Sequence, residues 1–142
     1  MPSVNRCVAQ VVFHVGHDDI NVRGGAYPAA SMNWLDASRR EYGRSQGIDF
    51  DNLGQVGFSL RLVDFKAQYQ APVRVGDLIH VTCWVEALGV ENVTWSYEIV
   101  RLVPKTLLMT GQTNHVCLNG EGQLALLPPE WKSQCKLRTI LE

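Results

Sequence analysis

The chain has 142 residues, with 13 Lys and Arg against 14 Asp and Glu and a formal charge of -1. Residues 1–142 are predicted to form one domain, large enough to bury a core without staples. Charge this balanced and this mixed excludes the basic surplus of a nucleic-acid binder, and no apolar run approaches the roughly 18 residues that span a bilayer. The N-terminus MPSVNR has no signal-peptide core, and Cys7, Cys83, Cys117 and Cys135 form no CxxC pair. A reduced cytoplasmic protein with buried thiols is expected.

Val8 to Val15 is apolar and β-rich, a first strand running to Gly16. A polar loop, HDDIN, and a Gly-Gly turn follow, and a helix opens at Tyr27-Pro28. Proline suits the first helical position, where its missing N–H has no intrahelical partner. That turn points unpaired N–H groups and the positive end of the helix dipole at the loop, opposite acidic and amide side chains. The arrangement suits attack on an acyl carbonyl; the same residues also suit a simple helix cap.

The helix is predicted from Pro28 to about Gln46, ended by Gly47. Ala30, Trp34, Ala37 and Tyr42 share one face, with Asp36, Arg39, Arg40 and Arg44 facing elsewhere. Strands are then predicted at Val56–Tyr69, Leu78–Ala87, Val93–Ile99 and Thr106–Leu118, the first and third of them from a period-two alternation. Ala71-Pro72 and Gly76-Asp77 mark the turn out of the first of these. Asn119-Gly120-Glu121-Gly122 is predicted as a hairpin turn into a further strand, Gln123–Leu127, with a short helical turn at Trp131. The whole is α+β, one long helix and an antiparallel sheet.

Three segments carry a family resemblance. Trp34-Leu35-Asp36-Ala37-Ser38-Arg39-Arg40-Glu41-Tyr42 resembles the central helix of the 4-hydroxybenzoyl-CoA thioesterase family. Asn21-Val22-Arg23-Gly24-Gly25-Ala26-Tyr27 is similar to its catalytic loop, and Phe65 to Asp77 to its second strand and Gly-Asp turn. The resemblance implies a hotdog domain, a long central helix wrapped by a curved antiparallel sheet, acting on acyl-CoA or acyl-carrier-protein thioesters without a cofactor. It departs from the family where the catalytic Asp falls on Asn21, a substitution that resembles the thioesterases of enediyne polyketide pathways. Anchoring instead on Tyr27-Pro28 brings Asp19 near that slot.

The expected site is therefore Asn21 or Asp19 positioning or activating water, with the N–H of Tyr27 and then of Ala29 polarising the carbonyl. Gly24 and Gly25 would let substrate approach the backbone, and the Tyr27 ring would line the acyl pocket or the core. Arg39, Arg40 and Arg44 form a basic stripe suited to a phosphopantetheine or CoA phosphate or simply to solvent, with Glu41 a supporting acid or a solvated one. His14, His17, Asp18 and Asp19 have no compact metal-ligand spacing, so no metal is expected. An acyl binder or assembly protein without catalysis is the alternative, because asparagine cannot take a proton from water. A hydratase is disfavoured by the want of an Asp-His pair. A homodimer with sites at the subunit interface is expected, and a homotetramer is open.

Overall fold

The computed structural model describes residues 3–4, 8–49, 57–129, 131 and 140–141. Cys7, Cys135 and Val56 lie outside them. Strand β1 (Ser3–Val4) pairs with β7 (Ile140–Leu141) in a two-stranded ribbon. The main sheet holds β2 (Val8–His14), β3 (Phe58–Tyr69), β4 (Leu78–Leu88), β5 (Asn92–Leu102) and β6 (Lys105–Asn119) in the order β2-β4-β5-β6-β3. Every neighbouring pair is antiparallel.

Alternation places one face of β4 and β5 in the core. Ile79, Val81, Cys83 and Val85 are buried there, as are Val93, Trp95, Tyr97 and Ile99. Helix α1 (Pro28–Ser45) lies against β2 and β4. It buries Ala30, Trp34, Leu35 and Tyr42, and each large apolar side chain contributes about 1.5–3 kcal/mol by leaving water. The Tyr42 and Trp95 rings meet edge to face at 6.4 Å. Gly47, at φ 79°, supplies the left-handed residue that ends the helix.

Register shifts at Leu62/Asp64, Val85/Ala87 and Ile99/Val100 add local twist to the curved sheet. The first re-phases β3. Phe58 and Leu60 pack against the core, Leu62 and Val63 are exposed, and Phe65 and Ala67 turn back to the core. The strand expected at Gln123–Leu127 is a correction. Only a single bridge, Leu118↔Leu124, forms there. Ala125 N–H then donates to Cys117 O, but Leu127 N–H goes to Val90 O in the β4–β5 turn, which peels the segment away before Pro128-Pro129.

Candidate active site

After β2 the chain makes a single 3-10 turn, His17–Asp19, in which Asp19 Oδ2 accepts the N–H of Gly16 at 2.9 Å. Ile20 bridges to Ala26, closing a tight loop at its base. Asn21 organises the tip. Its Oδ1 accepts the N–H groups of Arg23 at 2.8 Å and Gly25 at 3.2 Å. Its own N–H donates to Gly25 O, and its carbonyl accepts from Gly24 N–H. Gly24 sits at φ 87°, where a side chain would be strained. With Oδ1 taken, Nδ2 is the free donor of the amide. It stands 3.6 Å from where a Cβ on Gly25 would lie.

The helix N-terminus differs from expectation in one respect. Tyr27 N–H donates to Asp19 O at 2.8 Å, so this donor, expected for a substrate carbonyl, is engaged in closing the loop. Pro28 has no N–H, and the amides of Ala30 and Ser31 both reach Tyr27 O. Ala29 is exposed, and its N–H has no partner among the described residues. It is the open donor of the first turn.

A cavity of about 530 Å³ opens beside this turn. Arg23, Gly24, Gly25, Ala26 and Pro28 line one side, and Tyr69, Gln70, Ala71, Pro72 and Val73 the other. The second side escaped the sequence reading, although the Ala71-Pro72 turn was its signal: a break at the end of a strand leaves backbone and small side chains facing a groove. Tyr69 Oη lies 3.4 Å from Ser31 Oγ, so its ring leans over the start of α1. The Tyr27 ring is 44% exposed and is not part of this lining.

The residues of the expected basic stripe do not converge here. Arg39 turns inward, its side chain 13% exposed, and donates to Tyr97 Oη at 2.8 Å and to Asp36 at 2.6 Å. It is a tether within the core and not a solvent-facing cation. Arg40 pairs with Asp36, and Arg44 Nε donates to Glu41 at 2.8 Å. That guanidinium holds the Glu41 carboxyl below its usual range. Arg40, Glu41 and Arg44 line a separate cavity of about 580 Å³ with Val11 and Ile48, which shares no residue with the first. Among the described residues no His, Cys, Asp and Glu group is arranged to hold a metal. Cys83 and Cys117 are buried free thiols, and burial pushes Cys83 up to about 12.

Known proteins share both the pattern and the shape. The sequence profile of the thioesterase superfamily matches residues 23–107, from the loop tip into β6. The 1,4-dihydroxy-2-naphthoyl-CoA hydrolase of Synechocystis sp. is 31% identical over 91 residues, 63% of this chain and 66% of that protein. The matched segments span 58% and 66% of the two curated relatives, less than two thirds of either. The crystal structure of a 1,4-dihydroxy-2-naphthoyl-CoA thioesterase from Synechocystis superposes with a TM-score of 0.81 at 24% identity, covering 90% of this chain and 95% of that one. A mutant 4-hydroxybenzoyl-CoA thioesterase in complex with 4-hydroxybenzoyl-CoA gives 0.83 at 16% identity, covering 92% and 99%. At such identities the shared shape establishes the fold, a single helix against a curved five-stranded sheet, which is the hotdog plan. With the profile matched over more than half its length, the chain belongs to the thioesterase superfamily.

Proposed function

We propose that this protein hydrolyses an acyl thioester carried on CoA or on an acyl carrier protein, releasing a carboxylic acid and a thiol. One observation carries the reading. Pro28 and Gly25 line one cavity; the open N–H of Ala29 follows Pro28 in the chain, and the free Nδ2 of Asn21 lies against Gly25, although neither Ala29 nor Asn21 is itself part of the lining. In this mechanism the thioester oxygen accepts from Ala29 N–H, at the positive end of the α1 dipole. One well-aimed donor of this kind stabilises the tetrahedral oxyanion by roughly 3–4 kcal/mol. Asn21 Nδ2 orients the carbonyl or the attacking water. An amide cannot accept the water's proton, so the candidate for that task is Asp19 of the same loop, whose Oδ2 accepts Gly16 N–H and which does not itself line the cavity. Gly24 and Gly25 admit the thioester close to the backbone. The loop resembles those of enediyne polyketide thioesterases through Asn21, Gly24 and Tyr27, which favours a carrier-protein substrate.

The direct test follows free thiol release from a panel of aryl- and acyl-CoA and acyl-carrier-protein thioesters. Ala29→Pro removes the proposed donor at a first-turn position that tolerates proline, and should lower kcat by about 10²–10³-fold with the helical circular dichroism retained. Wild-type rates in that variant would remove the helix start from the mechanism. A second reading is supported by the cavity lining, which contains no carboxylate. On that reading the protein binds acyl thioesters without turning them over. Tight binding of every substrate in the panel with no thiol release would select it.

A further inference from the structure

Arg101, near the end of β5, and Asp77, in the turn before β4, form an ion pair at 3.2 Å with side chains only 11% and 14% exposed. The guanidinium does more than meet the carboxylate. Nη1 also donates to Pro72 O at 3.3 Å, and Nη2 to Thr106 Oγ1 at 3.4 Å. Asp77 Oδ2 in turn accepts the N–H of Arg74 at 2.8 Å. One cation therefore ties the beginning of the 72–77 turn to its end and to the start of β6. Pro72 and Val73 are cavity wall. The end of the same turn is joined to the other wall's stem, because Val15 N–H donates to Asp77 O at 2.9 Å and Gly76 N–H to Val15 O at 2.8 Å. Neither Arg101 nor Asp77 lines the cavity.

The pair is costly where it stands. Arg101 Nε is buried with no hydrogen-bond partner, and a buried ion pair with an unmet donor is seldom more stable than an apolar replacement. What it supplies that an apolar pair would not is a defined separation between two stretches of backbone.

We propose that Arg101 and Asp77 are positioning residues of the cavity: their ion pair holds the Pro72–Val73 wall at a set distance from the Asn21 loop, and so governs substrate affinity without touching substrate. This rests on the reading of the cavity as a thioester site. The test measures KM and kcat for benzoyl-CoA, and the Kd of phenacyl-CoA, a thioether that cannot be hydrolysed, in wild type, Asp77→Asn, Arg101→Met and Arg101→Lys. Asp77→Asn and Arg101→Met should raise both KM and Kd about tenfold or more, with kcat of the folded enzyme within about threefold, as for a displaced wall. Arg101→Lys should recover part of the affinity, since an ammonium reaches Asp77 but cannot also span Pro72 and Thr106. A lowered melting temperature with unchanged KM and Kd in the folded fraction would mean a purely structural role and overturn the proposal. If Arg101→Met does not fold, Asp77→Asn and Arg101→Lys decide by the same criterion. If wild type binds phenacyl-CoA and releases thiol from no member of the CoA and carrier-protein thioester panel, the hydrolase reading falls and the Kd series still decides on the pair. If it neither binds phenacyl-CoA nor binds or hydrolyses any member of that panel, the cavity is not a thioester site and the proposal falls too.

Discussion

Asn21 uses its Oδ1 to fasten the loop through the N–H groups of Arg23 and Gly25, which leaves Nδ2 a free donor against Gly25, a residue of the cavity lining. Asn21→Ala should therefore lower kcat/KM by on the order of 10²-fold, from loss of an oriented donor and a slackened loop. Asp19→Asn separates the remaining question. If Asp19 takes the proton, the loss should be at least as large; if only its Gly16 cap matters, an amide oxygen preserves that bond and activity is nearly kept. Asn21→Asp retains the acceptor for both loop N–H groups and adds a carboxylate to the loop. Those N–H donors favour its ionised form, so its pKa should lie below the ordinary ~3.9 of an aspartate. We expect hydrolysis to be kept or raised, climbing with pH across that titration and flat above about pH 5. A folded but inactive Asn21→Asp would mean that the NH₂ group itself is required. Arg23, the one charged residue of the cavity lining, should contribute to anionic substrates, and Arg23→Ala should raise KM for acyl-CoA more than for an acyl-N-acetylcysteamine thioester that lacks phosphate.

At the scale of elements, the strands and helix were legible because burial repeats with their own periods. Trp34 and Tyr42 mark the buried side of α1, and the alternation of Val93, Trp95, Tyr97 and Ile99 marks β5. Arg39 was not legible, since periodicity assigns a cation to the solvent face and says nothing of a hydroxyl waiting across the core. Tyr97, Thr113 and His115 supply that polar chain. Tyr97 Oη shares a hydrogen with Thr113 Oγ1, and His115 Nε2 meets the same oxygen at 3.0 Å. The open Ala29 donor was legible only in part, because a pattern of residue types cannot say which first-turn amide a distant carbonyl will claim. The chain of hydroxyls has a consequence for acid stability. Burial, and then the Arg39 charge, push the His115 imidazole down to about 3. The unfolded chain, with an ordinary value near 6.5, binds a proton over that interval that the folded one does not. The stabilisation is complete above about pH 6.5 and declines by about 1.4 kcal/mol per pH unit as pH falls towards 3. His115→Gln, which can keep the Thr113 contact, should flatten the acid side of a stability–pH curve from urea denaturation relative to wild type. Curves parallel from about pH 5 to 7 would mean the imidazole already protonates in the native core.

For the whole molecule, the outer strands are β2 and β3, each with one row of backbone groups unpaired within the main sheet. β3 also exposes Val63 at 51% and Tyr69 at 53%, the latter on the cavity wall. Long edges of this kind are templates for pairing. We expect a homodimer joined along β3, each copy completing the other's cavity near Tyr69. Sedimentation should give a dimer at micromolar concentration, and Val63→Lys should shift it to monomer with loss of affinity for phenacyl-CoA. A wild-type monomer that still turns over substrate would sink this assembly.

The bond from Tyr27 N–H to Asp19 O gives the resting loop a signature in hydrogen exchange. Amide protons exchange with water at rates that report whether each is held, so in the free protein Tyr27 should exchange slowly and its neighbour two residues on should exchange fast. A ligand carbonyl seated at the helix start would slow the second and leave the first alone. If instead binding slowed Ala29 while releasing Tyr27, the loop would be trading its own carbonyl for the substrate's. The two amides would then be alternate donors, one for rest and one for reaction.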